Sequence, residues 1–163
     1  MKYIITLLVI SLFGCTDRQI VVSGLEGQRM PGFEMLLMDS TTVINSNDIP
    51  AGSPLVLFYL SPYCPYCKAQ TEDLTAKMNE LKGINIYILS SFPISEIKKY
   101  RDKFQLSKYA NITVGKLNDD TLFTKYYKVS GVPYIAVYNK EKRLNEVMLG
   151  NVPIRDIKEV AFQ

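Results

Sequence analysis

Leu55-Val56-Leu57-Phe58-Tyr59-Leu60 is apolar at every position, and within a few residues it gives way to Cys64-Pro65-Tyr66-Cys67 and a helix-period pattern from Pro65 to Leu81. A strand apolar on both faces must be covered on both, as central parallel strands are. The chain therefore has to supply a layer on each side of this strand. The strand also delivers two thiols to the mouth of a helix. A Cys-x-x-Cys pair in that place can close a small disulfide, and the partial positive charge of the helix end favours thiolate over thiol. Lowering such a thiol's pKa from about 8.5 to about 7 raises its ionised fraction at neutral pH from a few per cent to roughly half.

Composition narrows the chemistry further. A chain of 163 residues, 47% apolar, buries one core and is expected to form one domain. Its net charge of +3 is spread without a basic stripe, so no nucleic-acid partner is expected. There is no His, which removes the commonest general base and metal ligand. A zinc site usually needs four ligands, and Cys64 and Cys67 have no second pair to join them, so neither a metal nor a cofactor is expected.

The start of the chain reads as an export segment. Lys2 precedes an apolar run, Ile4 to Phe13, that is too short for a permanent span of about 20 residues. It ends at Leu12-Phe13-Gly14-Cys15, which resembles the lipobox of bacterial lipoproteins, although Phe13 is bulky for its position. That resemblance implies a signal peptide over 1–14, lipidation of Cys15 and a lipid-anchored tether over 15–30. It places the protein in the bacterial cell envelope, on the periplasm-facing side of a membrane. A plain secretory signal with an incidental Cys is the alternative.

Beyond a short edge strand at Ile20-Val21-Val22, the pattern predicts two short strands, Met35 to Met38 and Thr42 to Ile44, around Asp39 and Ser40. After the dithiol helix come a strand from Ile84 to Leu89, a helix capped by Ser95, a weaker strand from Asn111 to Val114 and a helix from Asp119 to Tyr127. Gly131-Val132-Pro133 introduces the strand Tyr134 to Tyr138; the strand Leu144 to Leu149 and a helix with Ile154, Ile157 and Ala161 inward close the chain.

This order, a βαβ unit with the dithiol after its first strand and a helix leading into a terminal hairpin, resembles the thioredoxin superfamily, and more closely the extracytoplasmic thiol-disulfide proteins of the TlpA and ResA type. The resemblance covers about 31–163. It implies an α/β fold: a mixed sheet flanked by helices, with an N-terminal β-hairpin and a central βα insertion. By the same resemblance Cys64 is the attacking thiol and Cys67 the resolving one. Pro65 and Tyr66 tune the couple, and Lys68 is a further candidate for lowering the thiol pKa. Val132 and Pro133 match the family's cis-proline loop, whose backbone receives an extended substrate segment. Tyr63 stands where the family usually has Trp. Two acids are missing: Phe58 replaces the buried acid of thioredoxins, and Gln70 stands where TlpA and ResA relatives often have Glu. Glu72 is a poor substitute.

The function implied is a membrane-anchored protein-disulfide reductase that exchanges thiols and disulfides with protein substrates and is re-reduced by a membrane donor of the DsbD or CcdA kind. A peroxiredoxin-like peroxidase is one competitor, since Phe58-Tyr59, Ser61 and Cys64-Pro65 echo part of a peroxidatic motif, though Leu57 replaces its Pro. A non-catalytic thioredoxin-like binding module is the other. A permanent structural disulfide fits poorly, because so small a loop removes little entropy from the unfolded chain.

Overall fold

The structure is a computed structural model and describes residues 20–163. Cys15 and the apolar run before it lie outside the described residues. Among the described residues, no helix is long and apolar enough to cross a membrane.

The all-apolar run forms β4 (Leu55–Tyr59), with every residue buried. Its side chains alternate between two cores. Val56 and Phe58 pack with Ile97 and Ile157 on one face, and Leu55, Leu57 and Tyr59 pack with Phe123 and Tyr127 on the other. Burial of side chains such as Leu57 and Phe58, which are 0% and 1% exposed, stabilises the fold by about 1.5–3 kcal/mol each.

The other strands are β1 (Ile20–Val21), β2 (Glu34–Leu37), β3 (Val43–Asn45), β5 (Asn85–Ser90), β6 (Ile112–Leu117), β7 (Tyr134–Tyr138) and β8 (Leu144–Leu149). They make one sheet in the order β1-β8-β7-β4-β5-β6-β2-β3. β4, β5 and β6 run parallel, and β7 lies antiparallel to β4 with Tyr134 opposite Tyr59. Helices α1 (Pro65–Ala76), α2 (Ile94–Lys103) and α4 (Ile154–Ala161) supply residues to the first core, and α3 (Asp120–Tyr127) covers the second. The expected mixed α/β sheet, N-terminal hairpin and terminal hairpin are all present.

Four details differ from the expectation. The dithiol helix stops at Ala76, and the chain tightens into a 3-10 turn, Met78–Leu81, as bonding passes from Lys77 N–H···Asp73 O to Glu80 N–H···Lys77 O. Leu81 stays buried, so the apolar stripe continues through the change of helix type. Helix α2 begins at Ile94 with Pro93 as its N-cap and no side-chain cap bond, so Ser95 is not the cap. Strand β6 runs on to Leu117, because Gly115 lets β2 approach: a Cβ there would stand 3.0 Å from that of Met35. Finally, the ordered fold begins before Pro31. The edge strand expected at Ile20-Val21-Val22 is present as β1, paired with β8; beyond it Gly27 N–H and Met30 N–H bond the carbonyls of Leu144 and Lys142, so the stretch expected to be tether is latched to the sheet from residue 20 to residue 30.

Candidate active site

Cys64 is the N-cap residue of α1, and Pro65 opens the helix, where a missing N–H costs nothing. Cys64 is half-buried as a residue, while Cys67, one turn further in, is 0% exposed. Cys67 N–H points at the Cys64 sulfur over 3.4 Å, and the Cys64 thiol reaches the Val132 carbonyl over 3.6 Å. The Val132-Pro133 bond is cis, and Pro133 is buried behind it. The loop before β7 thus presents a backbone oxygen to the dithiol from across the sheet.

The two thiols, free in this structure, differ in surroundings. Burial pushes the Cys67 thiol up to about 12; backbone hydrogen bonds from Ser61 and from its own amide oppose this without offsetting it. Tyr100 from α2 and Thr71 from α1 converge on the Cys67 carbonyl, at 3.0 Å and 2.9 Å, and their hydroxyls are 2.6 Å apart. Their buried hydroxyls pin the peptide that carries Cys67 and tie α2 to α1. Burial raises the Tyr100 phenol well above its ordinary range, so it remains a neutral hydroxyl.

Two exposed tyrosines flank Cys64. Tyr66 is 66% exposed and projects outward; Tyr63 is 60% exposed but anchored. The Tyr63 hydroxyl donates to Glu96 over 2.8 Å, and its ring meets Phe92 edge-on at 5.4 Å. Glu96 also pairs with Lys99 at 2.8 Å, and these two bonds hold its carboxyl below the usual range. Lys68 is partly exposed and follows the dithiol by one residue.

Neither the buried acid of thioredoxins nor the Glu of TlpA and ResA relatives has a replacement at its position here. Phe58 lies in the apolar core, and Glu72 is exposed. Gln70 is fully buried and does something a carboxylate cannot: its Nε2 donates to Val152 O over 3.1 Å while its Oε1 accepts Val152 N–H over 2.5 Å. The amide thereby satisfies both backbone groups of a buried residue in the loop before α4. The pattern of the sequence pointed only to a missing acid at Gln70; the partner lies 82 residues away along the chain, beyond any local signal. Thr71 and Tyr100 were legible as packing residues, but not as partners of one carbonyl. Among the described residues, no group of three or more Cys, Asp or Glu is placed to hold a metal ion.

The matching family profile, a thioredoxin-like domain, spans residues 49–162. No curated protein sequence is significantly similar to the chain. Among solved structures, an electron transfer protein from Aquifex aeolicus VF5 aligns with a TM-score of 0.69 at 14% identity, over 83% of this chain and 92% of its own. The thioredoxin domain of a thiol-disulfide oxidoreductase from Bacteroides vulgatus aligns at 0.62 and 18% identity, over 82% and 93%. A secreted disulfide oxidoreductase of Mycobacterium tuberculosis aligns at 0.61 and 17% identity, over 79% and 93%. These three likenesses are likenesses of fold.

Proposed function

The chain belongs to the thioredoxin-like domain family, and from that footing we propose that it is a protein thiol-disulfide oxidoreductase working as a reductase. The observation that carries the reading is the asymmetry of the dithiol: a half-buried cysteine at the helix N-terminus and a fully buried one a turn behind it.

Cys64, as thiolate, attacks one sulfur of a substrate disulfide. The substrate's S–S bond breaks, a Cys64–substrate disulfide forms, and the other substrate sulfur leaves as a thiolate. Cys67 then attacks the Cys64 sulfur, displacing the remaining substrate thiolate. Two electrons have passed to the substrate, and the enzyme holds a Cys64–Cys67 disulfide. The proton of Cys67 is released during this second step to the leaving thiolate or to water, since Phe58 and Gln70 stand where relatives carry an acid. In this reading the Val132 carbonyl and Pro133 seat an extended substrate backbone, and Tyr63 and Tyr66 give it an apolar surface. A second dithiol protein, of the DsbD or CcdA kind, returns the electrons. Lipidation of Cys15 anchors the protein to a bacterial membrane facing the periplasm.

Against the peroxidase alternative stands the sequence, with Leu57 in place of the motif's Pro. Reduction of insulin disulfides tests the proposal. The reduced protein precipitates insulin chains catalytically, Cys64→Ser abolishes this, and Cys67→Ser accumulates a mixed disulfide on Cys64. Rapid consumption of hydrogen peroxide with no action on insulin would favour the peroxidase, and inertness to both would leave a binding module.

A further inference from the structure

Beside Tyr63, α1 and α2 enclose an open cleft of about 170 Å³ whose lining includes Tyr63, Lys68, Glu96, Lys99, Tyr100 and Lys103. Three lysines and one glutamate are among the residues that line it, with Glu72 close enough to Tyr100 to act on it electrostatically. Glu96 is already taken twice, by Lys99 and by the Tyr63 hydroxyl, at 2.8 Å each. Lys68 and Lys103 make no ion pair among the described residues, and the Lys103 ammonium stands 5.1 Å from the Phe104 ring centroid. The cleft therefore carries surplus positive charge between rigid walls. The buried Tyr100 ring forms one wall, and Tyr63, held by Glu96 and Phe92, forms another.

Its position relative to the reacting sulfur gives the cleft a meaning. Lys68 N–H bonds the Cys64 carbonyl, so Lys68 stands one helical turn from Cys64, about 6 Å along the axis. An extended chain covers that distance in two or three residues. We propose that the cleft is a carboxylate site for the substrate: it favours protein disulfides whose reacting cysteine has an Asp or Glu two or three residues away. Lys68 and Lys103 supply the free charges, and the Glu96–Lys99 pair keeps Tyr63 turned so that the cleft stays open. This inference rests on the thiol-disulfide reading above.

The test uses two disulfide-linked peptides, identical except for Glu or Gln two residues from the reacting cysteine, with kcat/KM measured at low and high salt. For the reduced protein the Glu peptide is expected to react about fivefold faster at low ionic strength, and the preference to fall towards parity in about 1 M salt. Lys68→Gln with Lys103→Gln is expected to bring the ratio to parity at both. Lys140→Gln with Lys158→Gln removes the same charge at exposed positions, Lys140 lying in the turn that follows the far end of β7. This pair is expected to keep the wild-type ratio. Equal rates in the wild type, or a preference that survives loss of Lys68 and Lys103 or is lost equally in the remote pair, overturns the carboxylate site while the oxidoreductase reading stands. Failure to reduce either peptide overturns both.

Discussion

Gln70 offers the sharpest perturbation of the site's support. Its side chain is polar in an apolar surround of Phe58, Leu74, Ile135 and Ile157, and it pairs with both backbone groups of Val152, itself 2% exposed. Gln70→Leu leaves a buried N–H and a buried C=O without partners. At about 1–3 kcal/mol for each, the loss is about 2–6 kcal/mol, a large share of the 5–15 kcal/mol typical of a domain. Gln70→Glu separates shape from charge. A protonated carboxyl has one donor and one acceptor and can keep both bonds; a carboxylate has only acceptors and faces the Val152 carbonyl. The folded state therefore raises the new carboxyl's pKa above its unfolded value of about 4.3. The sign follows: stability is full below about pH 4.3 and is lost as pH rises through the folded pKa. A penalty of about 3 kcal/mol corresponds to roughly two pH units, so the loss falls between about pH 4.3 and 6.5. Urea unfolding of both variants and the wild type at several pH values between about 4 and 8 reads this directly. A Gln70→Leu protein within about 0.5 kcal/mol of wild type, or a Gln70→Glu protein with no pH-dependent difference, would refute the bidentate role.

Further outcomes follow from the same geometry. Since an unfolded thiol ionises near 9 and burial holds Cys67 at about 12, the reduced wild type loses stability relative to Cys67→Ser as pH rises between those values, by about 1.4 kcal/mol per unit; chemical unfolding at pH 8 and 10.5 measures it, and parallel curves would contradict it. Tyr100→Phe removes a hydroxyl that contacts both Thr71 and the Cys67 carbonyl and is expected to cost about 1–2 kcal/mol in thermal or urea unfolding. Lys142 donates to the carbonyls of Ser46, Asn47 and Ile49, so Lys142→Met is expected to cost about 1.5–3 kcal/mol in the same assay; an unchanged midpoint would mean that water replaces the ammonium without loss.

Much of the fold was legible because the chain states it locally. The bounds of β7 and β8 are those expected from the sequence, and the two-sided burial of β4 follows from having no polar position. Cys67 on the buried stripe of α1 was likewise readable from helical spacing. What stayed hidden depends on partners distant in sequence. The latch of residues 20–30 comes from backbone bonds to Lys142 and Leu144, which leave no side-chain pattern. The length of β6 depends on Met35 passing over Gly115. Gln70 looked like an absence, a missing acid, until its partner Val152 gave it a structural role, and the bond from Tyr63 to Glu96 joins residues 33 positions apart, out of reach of any local pattern.

In the proposed mechanism one thiol is reachable and attacks while its neighbour is shielded and resolves. Alkylation of the fully reduced native protein at neutral pH with sub-stoichiometric iodoacetamide, followed by peptide mapping, measures this. Label is expected on Cys64 and almost none on Cys67 until the protein is unfolded. Comparable labelling of the two, or Cys67 modified first in the folded protein, would contradict it.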